Sequence, residues 1–361
     1  MEHMKRALFL ARQAIGISSP NPPVGALIVK DDRVLGEGHT LAPGEAHAEI
    51  TALSQAGIAA KGATLYTTLE PCCHFGRTPP CTKSIIKSGI REVKIVMVDP
   101  NPVVNGKGIA ELKSAGIIVN VEDSEVEEAE EIAEAYLKFT STGLPFVTAK
   151  FAMSLDGKIS TASGDSKWIT SEESRTQSRI LRGQADAVIV GIGTVIKDNP
   201  QLTVRDDSNL PGKQQPIRIV VDSKGRIPLE SKLLAEPGLS IIAISQSEEQ
   251  NTRRLSEAGV EMIASPGNDG SVDLHYLLVS LAARGVTSVL VEGGGILLGS
   301  FFDLGLVDKV VVFISPVIIG GEGAQSPVKG IGATTMSDAI KLKRSSTYPI
   351  GKDIVMTGYV R

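Results

Sequence analysis

All three cysteines of the chain fall between positions 72 and 81, and His47-Ala48-Glu49 lies a short way upstream. This cluster constrains the fold more than any other feature. An odd number of thiols in one short stretch is not a disulfide framework; in a reducing compartment it reads as a metal site or a reactive thiol. A metal site requires separate segments to converge on one point. Ala63–Leu69 reads as a strand that runs into Pro71-Cys72. Residues 46–56 read as a helix with His47 and Glu49 in its first turn, and Cys81–Ser88 as a helix opened by Cys81 and closed by Gly89.

The ligand types suit zinc: two thiolates, Cys72 and Cys81, and the imidazole of His47. Three protein ligands leave a fourth position for water, whose pKa falls from about 15.7 to about 7 on zinc. Helix N-termini stabilise thiolates, which lowers the cost of keeping both cysteines ionised. Glu49 is too close in sequence to His47 to be an easy fourth ligand. Its natural role is to take a proton from water and pass it to leaving ammonia. The order H-x-E, then P-C, then a second Cys is that of zinc deaminases, although here eight residues separate Cys72 from Cys81 rather than two. The first half therefore reads as a hydrolytic deaminase of a nucleobase-like ring. The alternative is a closed structural zinc site completed by Cys73 or His74. Adjacent residues seldom both reach one metal, so Cys73 reads as a small buried neighbour. Arg77 is either a solvated surface charge or the group that binds an anionic part of the substrate.

A length of 361 residues suggests two domains. Residues near 3–16 form an amphipathic helix; Val24–Lys30 and Arg33–His39 form strands joined at Asp31-Asp32; Glu92–Val98 and Ile117–Val121 are further strands. Glu122–Glu134 reads as one helix with a solvated acidic face, opened by a capping box of Ser124 and Glu127. Thr140-Ser141-Thr142-Gly143 breaks the pattern and Pro145 follows, which sets domains of 1–144 and 145–361. The second half carries apolar runs at Phe146–Phe151, Ala187–Val190, Ile217–Val221, Leu239–Ile244, Val289–Val291, Val310–Ile314 and Ile354–Tyr359. Helical patterns at Glu172–Arg182 and Asp273–Ala283 lie between some of them. Both halves are α/β, the second with a mainly parallel, buried sheet.

A net charge of −4 and 4% aromatic residues argue against a nucleic-acid partner, which calls for a basic face and stacking rings. No run is apolar and long enough to span a bilayer, and Met1–Leu10 carries charges where a signal peptide needs an apolar core. The expectation is a cytoplasmic protein with no membrane partner.

The string Pro71-Cys72-Cys73-His74-Phe75-Gly76-Arg77-Thr78-Pro79-Pro80-Cys81, with His47-Ala48-Glu49, closely resembles the deaminase half of the bifunctional riboflavin biosynthesis deaminase–reductases. Asn21-Pro22 and Asp99-Pro100-Asn101-Pro102 look like the same family. In the second half so do Ser154-Leu155-Asp156-Gly157-Lys158, the stretch Gly164 to Thr170, Asp198-Asn199-Pro200, Leu202-Thr203-Val204-Arg205 and Val291-Glu292-Gly293-Gly294. The resemblance implies a cytidine-deaminase-like α/β/α domain followed by a dihydrofolate-reductase-like α/β domain. It implies two consecutive reactions on a phosphorylated pyrimidine, a zinc-dependent deamination and an NADPH-dependent reduction of ribosyl to ribityl.

Carried over by resemblance, His47, Cys72 and Cys81 bind zinc and Glu49 shuttles the proton. Asn21, His74, Arg77, Asp99 and Asn101 hold the first substrate. The family often has a His seven residues before the zinc His; that position is Thr40 here, with His39 beside it. In the second half, Lys150, Asp198 and Glu292 surround the ribose, with Ser166, Arg182, Leu202 and Arg205 also at the substrate. Ala152, Trp168, Thr194, Asp198, Ser223 and Gly293-Gly294-Gly295 fall to the cofactor. Read without the resemblance, these residues have ordinary alternatives. The glycine run does not match the Rossmann spacing and could be a tight turn between strand and helix. Arg182 and Arg205 offer bidentate phosphate contacts but could be surface ion pairs. Trp168 could stack on a heterocycle or fill the core, and Asp198 sits in what reads as a turn-rich loop. Two active sites on exposed α/β edges suggest a homo-oligomer.

Overall fold

The structure, a computed structural model, describes residues 2–204, 215–246 and 249–360. The chain divides into two units, Met1–Leu144 and Pro145–Arg361.

The first unit runs α1 (Glu2–Ala14), β1 (Gly25–Lys30), β2 (Arg33–His39), α2 (Ala48–Ala56), a 3-10 turn, β3 (Thr64–Leu69), α3 (Cys81–Ser88), β4 (Glu92–Met97), α4 (Lys107–Ser114), β5 (Ile118–Val121) and α5 (Val126–Thr142). The sheet order is β2-β1-β3-β4-β5. β1 pairs antiparallel with β2 and β3, whereas β3, β4 and β5 run parallel. Asp31 and Asp32, at φ 48° and 62°, make the tight turn between β1 and β2. The strand period of two separates the faces. Ala26 and Ile28 pack toward α2 and α3 with Leu65, Ile85 and Ile95. Leu27 and Val29 face the other way, beside Leu10 of α1. That second face is closed by Met4, Leu8 and Ala11 of α1 with Ala129 and Ile132 of α5.

Two glycines set the position of α2. A Cβ at Gly36 would lie 2.2 Å from the Ala52 carbonyl oxygen, and one at Gly38 would lie 2.6 Å from that of Ala48. Only a bare backbone in β2 lets α2 settle this close. The contact fixes the N-terminus of α2, where His47 is the capping residue.

Two local expectations change, and one helix goes unread. α4, which has only Gly108 and Leu112 buried, carries too weak a stripe to be read from sequence. The capping box does not form: α5 starts after Glu125, with no side-chain cap. The expected break at Thr140–Thr142 is instead the last turn of α5. Ser141 and Thr142 donate their hydroxyls back to the Leu137 and Lys138 carbonyls, both at 2.8 Å, and the helix ends at Gly143 with φ 72°.

The second unit runs β6 (Phe146–Ser154), α6 (Glu172–Gln184), β7 (Ala187–Gly191), α7 (Ile192–Asp198), β8 (Ile217–Val221), α8 (Lys232–Ala235), β9 (Ser240–Ile244), α9 (Glu249–Glu257), β10 (Glu261–Ala264), α10 (Leu274–Ala282), β11 (Ser288–Gly293), α11 (Gly295–Asp303), β12 (Lys309–Ser315), β13 (Lys343–Ile350) and β14 (Asp353–Tyr359). The sheet order is β10-β9-β8-β7-β11-β6-β12-β14-β13. Strands β10 through β12 run parallel, and β14 and β13 add an antiparallel edge. The inner strands read as continuous apolar runs because both faces are covered; Ala187, Val188, Ile189 and Val190 are all buried. Asp198 is the last residue of α7, not part of a loop, and Asn199 ends that helix in the left-handed region. Asn tolerates that conformation, so the Asp-Asn-Pro string marks a helix end. Among the described residues no helix is long and apolar enough to cross a membrane.

Candidate active sites

In the first unit, β3 delivers Cys72 to the N-terminal ends of α2 and α3. His47 Nδ1 lies 3.6 Å from Cys72 Sγ and 3.4 Å from Cys81 Sγ. Tetrahedral zinc with bonds of about 2.3 Å to sulfur and about 2.0 Å to nitrogen sets such separations near 3.5 Å. The three ligand atoms lie within 4.8 Å of one another. The donor set and its spacing fit zinc. Cys73 points elsewhere, with Sγ 3.9 Å from the Val103 carbonyl oxygen.

Electrostatics prepare the ligands. Cys72 Sγ accepts the backbone N–H of Cys81 at 3.3 Å, a donor that the first turn of α3 leaves unpaired. The Cys72 thiol falls to about 4, first through its hydrogen bond with Cys81 and then through His47. The same contact, with burial, raises Cys81. With Nδ1 toward the sulfurs, the His47 ring proton belongs on Nε2, which faces Thr78 Oγ1 at 3.3 Å. Glu49 is 4% exposed, with Oε2 3.5 Å from Cys81 Sγ. Burial, and next the charge on Cys72, push its carboxyl up to about 7.

These groups open on a cleft of about 320 Å³ lined also by Asn21, His74, Arg77, Asp99 and Asn101. The zinc-type ligands, Glu49 and these five substrate candidates are thus gathered at one place. Thr40 lines the cleft as well, with its Oγ1 accepting the Val24 N–H at 3.1 Å. The cleft also has walls that sequence reading missed: Thr78, and Tyr136, Phe139 and Thr140 from α5. Glu70 is another. Its buried carboxylate accepts the N–H groups of Asp99, Gly106 and Ile109 at 3.2, 2.9 and 3.0 Å, holding the Asp99–Ile109 segment in place.

In the second unit a cavity of about 1150 Å³ lies at the C-terminal ends of the parallel strands, where open α/β sheets bind ligands. Lys150, Ala152, Ser166, Thr194, Asp198, Ser223, Glu292 and Gly293-Gly294-Gly295 line it. Gly293 and Gly294 have φ 144° and 56°, and the backbone turns there directly into α11. The N–H groups of that first turn are a ready anion site.

Glu292 is the centre of a buried charge cluster. Arg182 donates Nε to Oε1 and Nη2 to Oε2, the latter at 2.8 Å, and Lys150 Nζ lies 3.9 Å from Oε2. Burial pushes the Glu292 carboxyl up, but Arg182 and Lys150 outweigh it and leave it below its ordinary value. Burial pulls Lys150 down. The Arg182 fork is therefore taken up by a carboxylate rather than left open for phosphate. Leu202 is 3% exposed and its side chain packs in the core with Val190 and Val195. Trp168 is 71% exposed and stacks under the Arg175 guanidinium at 4.6 Å; it is absent from the cavity wall. Arg205 lies outside the described residues. The wall also includes Lys197, Arg226 and Lys329, which no sequence pattern singled out.

Residues 1–97 match the cytidine and deoxycytidylate deaminase zinc-binding region, and residues 145–356 match the RibD C-terminal domain. The chain belongs to the RibD family. It is 43% identical over 354 residues to the riboflavin biosynthesis protein RibD of Aquifex aeolicus, covering 98% of this chain and 96% of that one. It is 38% identical to the Escherichia coli RibD over 366 residues, covering 98% and 97%. Among solved structures, Acinetobacter baumannii RibD superposes with a TM-score of 0.88 at 36% identity, covering 99% of this chain and 98% of that one. RibD membership accounts for both folds, the first cytidine-deaminase-like and the second dihydrofolate-reductase-like. It makes the chain an enzyme of riboflavin biosynthesis with a zinc-binding deaminase domain and a reductase domain.

Proposed function

We propose that the two units act in sequence on one phosphorylated pyrimidine. The deaminase half hydrolyses the 2-amino group of 2,5-diamino-6-ribosylamino-4(3H)-pyrimidinone 5′-phosphate, releasing ammonia. The reductase half then uses NADPH to reduce the ribosyl group, giving 5-amino-6-ribitylaminouracil 5′-phosphate. A relative of known structure, from Thermotoga maritima, is described as a diaminohydroxyphosphoribosylaminopyrimidine deaminase and 5-amino-6-(5-phosphoribosylamino)uracil reductase; it is 36% identical, with a TM-score of 0.85, and 99% of this chain is covered. The observation that carries the reading is Glu49, a buried carboxyl beside three zinc-type ligands in a cleft of its own.

His47, Cys72 and Cys81 would hold zinc, which when bound supplies Lewis acidity that activates water near neutral pH. Glu49 moves the protons. Its carboxyl, which lines the cleft, accepts one from water and returns it to the departing amine. Burial keeps that carboxyl dry. Arg77 and His74 take the phosphate-bearing side of the substrate, and Asn21, Asp99 and Asn101 take its polar edges.

In the second unit Gly293-Gly294-Gly295 and the start of α11 would bind the NADPH pyrophosphate, with Ala152, Thr194 and Ser223 along the cofactor. NADPH supplies a hydride to C1′ when bound. Lys150, Asp198 and Glu292 border the ribose, and Arg182 holds Glu292 in place. The reduced sugar also needs a proton at its ring oxygen or imine nitrogen. We assign that proton to Lys150, whose buried ammonium has a weakened hold on it.

A coupled assay tests the whole reading. With the diamino substrate, ammonia release should be followed by stoichiometric NADPH loss. Ammonia without NADPH loss would remove the second assignment, and neither signal from a zinc-loaded protein would remove both.

A further inference from the structure

The region shared with cytidine and deoxycytidylate deaminases ends at residue 97, before α5 begins at Val126. Yet α5 supplies part of the cleft wall, and its Tyr136 touches a buried carboxylate there, Asp99. Asp99 is 4% exposed. Its Oδ1 accepts the Asn101 N–H at 2.9 Å. Tyr136 Oη lies 2.9 Å from Oδ1 and 3.1 Å from Oδ2.

The donor and acceptor inventory of this group is unequal. A phenol has one proton, so it satisfies one oxygen at a time. An ionised carboxylate offers about four acceptor positions. Burial, and then the charge of Asp99, push the Tyr136 phenol upward, so it remains a donor. Acceptor capacity is therefore left over on Asp99, chiefly on Oδ2, in a side chain that lines the cleft. The ring of Tyr136 packs against the core around β3 and β4, and this holds its hydroxyl in one place.

We infer that Tyr136 is a positioning residue of the deaminase half: its hydroxyl fixes the Asp99 carboxylate as a hydrogen-bond acceptor for an amino or hydroxyl group of the substrate. The inference rests on the reading above that this cleft binds the substrate through Asp99. It makes α5 the element that adapts a shared zinc-binding scaffold to a donor-rich phosphoribosyl pyrimidine. An unpositioned carboxylate would rotate between Asn101 and the cleft and accept less well.

The test compares Tyr136→Phe, Asp99→Asn and the double variant in the full chain, with zinc content, reductase rate and deamination kinetics on the diamino substrate. Tyr136→Phe keeps the ring packing and removes only the hydroxyl. It should raise the deamination KM roughly fivefold, the order of one hydrogen bond, with kcat within about twofold. Zinc content and reductase rate should stay at the parent level. Asp99→Asn should raise KM further, and the double variant should raise it by less than the product of the two single effects, because Tyr136 acts mainly through Asp99. Asp99→Asn with unchanged KM would show that Asp99 does not touch substrate and would sink the underlying reading. A raised KM in Asp99→Asn with none in Tyr136→Phe would overturn the positioning role alone. Loss of zinc or a parallel fall in kcat on Tyr136→Phe would make the tyrosine a structural strut and overturn it too.

Discussion

The backbone N–H of Cys81 donates to the sulfur of Cys72 at 3.3 Å. One cysteine thus opens α3, offers its own sulfur, and stabilises the thiolate of the other. His47 stands at the N-cap position of α2, and its ring turns toward both sulfurs. Two helix ends and one strand end therefore meet at the point where the three ligands converge.

Thr78 orients the His47 ring from behind, through Nε2 at 3.3 Å. Thr78→Val should weaken zinc binding about 10- to 100-fold, the usual effect of losing such a supporting bond. A chelator competition titration measures this. Unchanged affinity would mean that the ring is held by its ligands alone.

Glu49 and Asp198 line different cavities in different units. Glu49→Ala should keep zinc and lose deamination by about 10²- to 10⁴-fold, while the reductase still turns over the deaminated intermediate. Asp198→Ala should impair reduction and spare ammonia release. Equal loss of both activities in either variant would contradict two independent sites.

Arg182 balances a Glu292 side chain that is only 6% exposed. Arg182→Ala would strand that carboxylate beside Lys150 alone, at a cost of about 3–5 kcal/mol. Thermal unfolding should show the second unit melting earlier, with the first unit unchanged. Glu292→Gln in the same background should recover much of the loss. If it does not, the pair is less coupled than its geometry indicates.

Asp156 ties the turn after β6 to the chain beyond β12. Its carboxyl is drawn down to about 2, first by the Ser154 hydroxyl and then by the N–H groups of Ile319 and Gly320, at 3.0 and 2.7 Å from its oxygens. An ordinary Asp titrates near about 3.9. The folded value is the lower one, so this contribution to stability is complete above about pH 4 and fades as pH falls through about 2. Asp156→Ala should lower the Tm at pH 7 and make little difference near pH 2. Equal destabilisation at both values would argue against a charged anchor.

Much of the deaminase site could be read from the chain. Cysteine and histidine are rare, and their clustering has few explanations. The flanking strand and glycine signals put Cys72 and Cys81 at the correct element ends. Tyr136 escaped because an aromatic residue in an amphipathic stripe looks like core until its hydroxyl is seen beside Asp99, 37 residues away. Ser141 and Thr142 misled for a local reason: hydroxyls that can break a helix can also bond back to it.

The reductase half was legible as architecture and less so as chemistry. Apolar β-branched runs announce a buried parallel sheet, because strands covered on both faces carry no alternation. The glycines between β11 and α11 announce a tight turn. Arg182 reads as either a phosphate clamp or an ion pair, and its partner in the fold is Glu292, 110 residues on. The resemblance puts Leu202 at the substrate, and its side chain is in the core. Residue type and spacing determined by themselves which ligands the chain offers and that it folds as two α/β units. Only the tertiary structure decided which charges pair and which side chains face a cavity. Those outcomes depend on burial and on partners distant in sequence, and a local pattern carries no record of either.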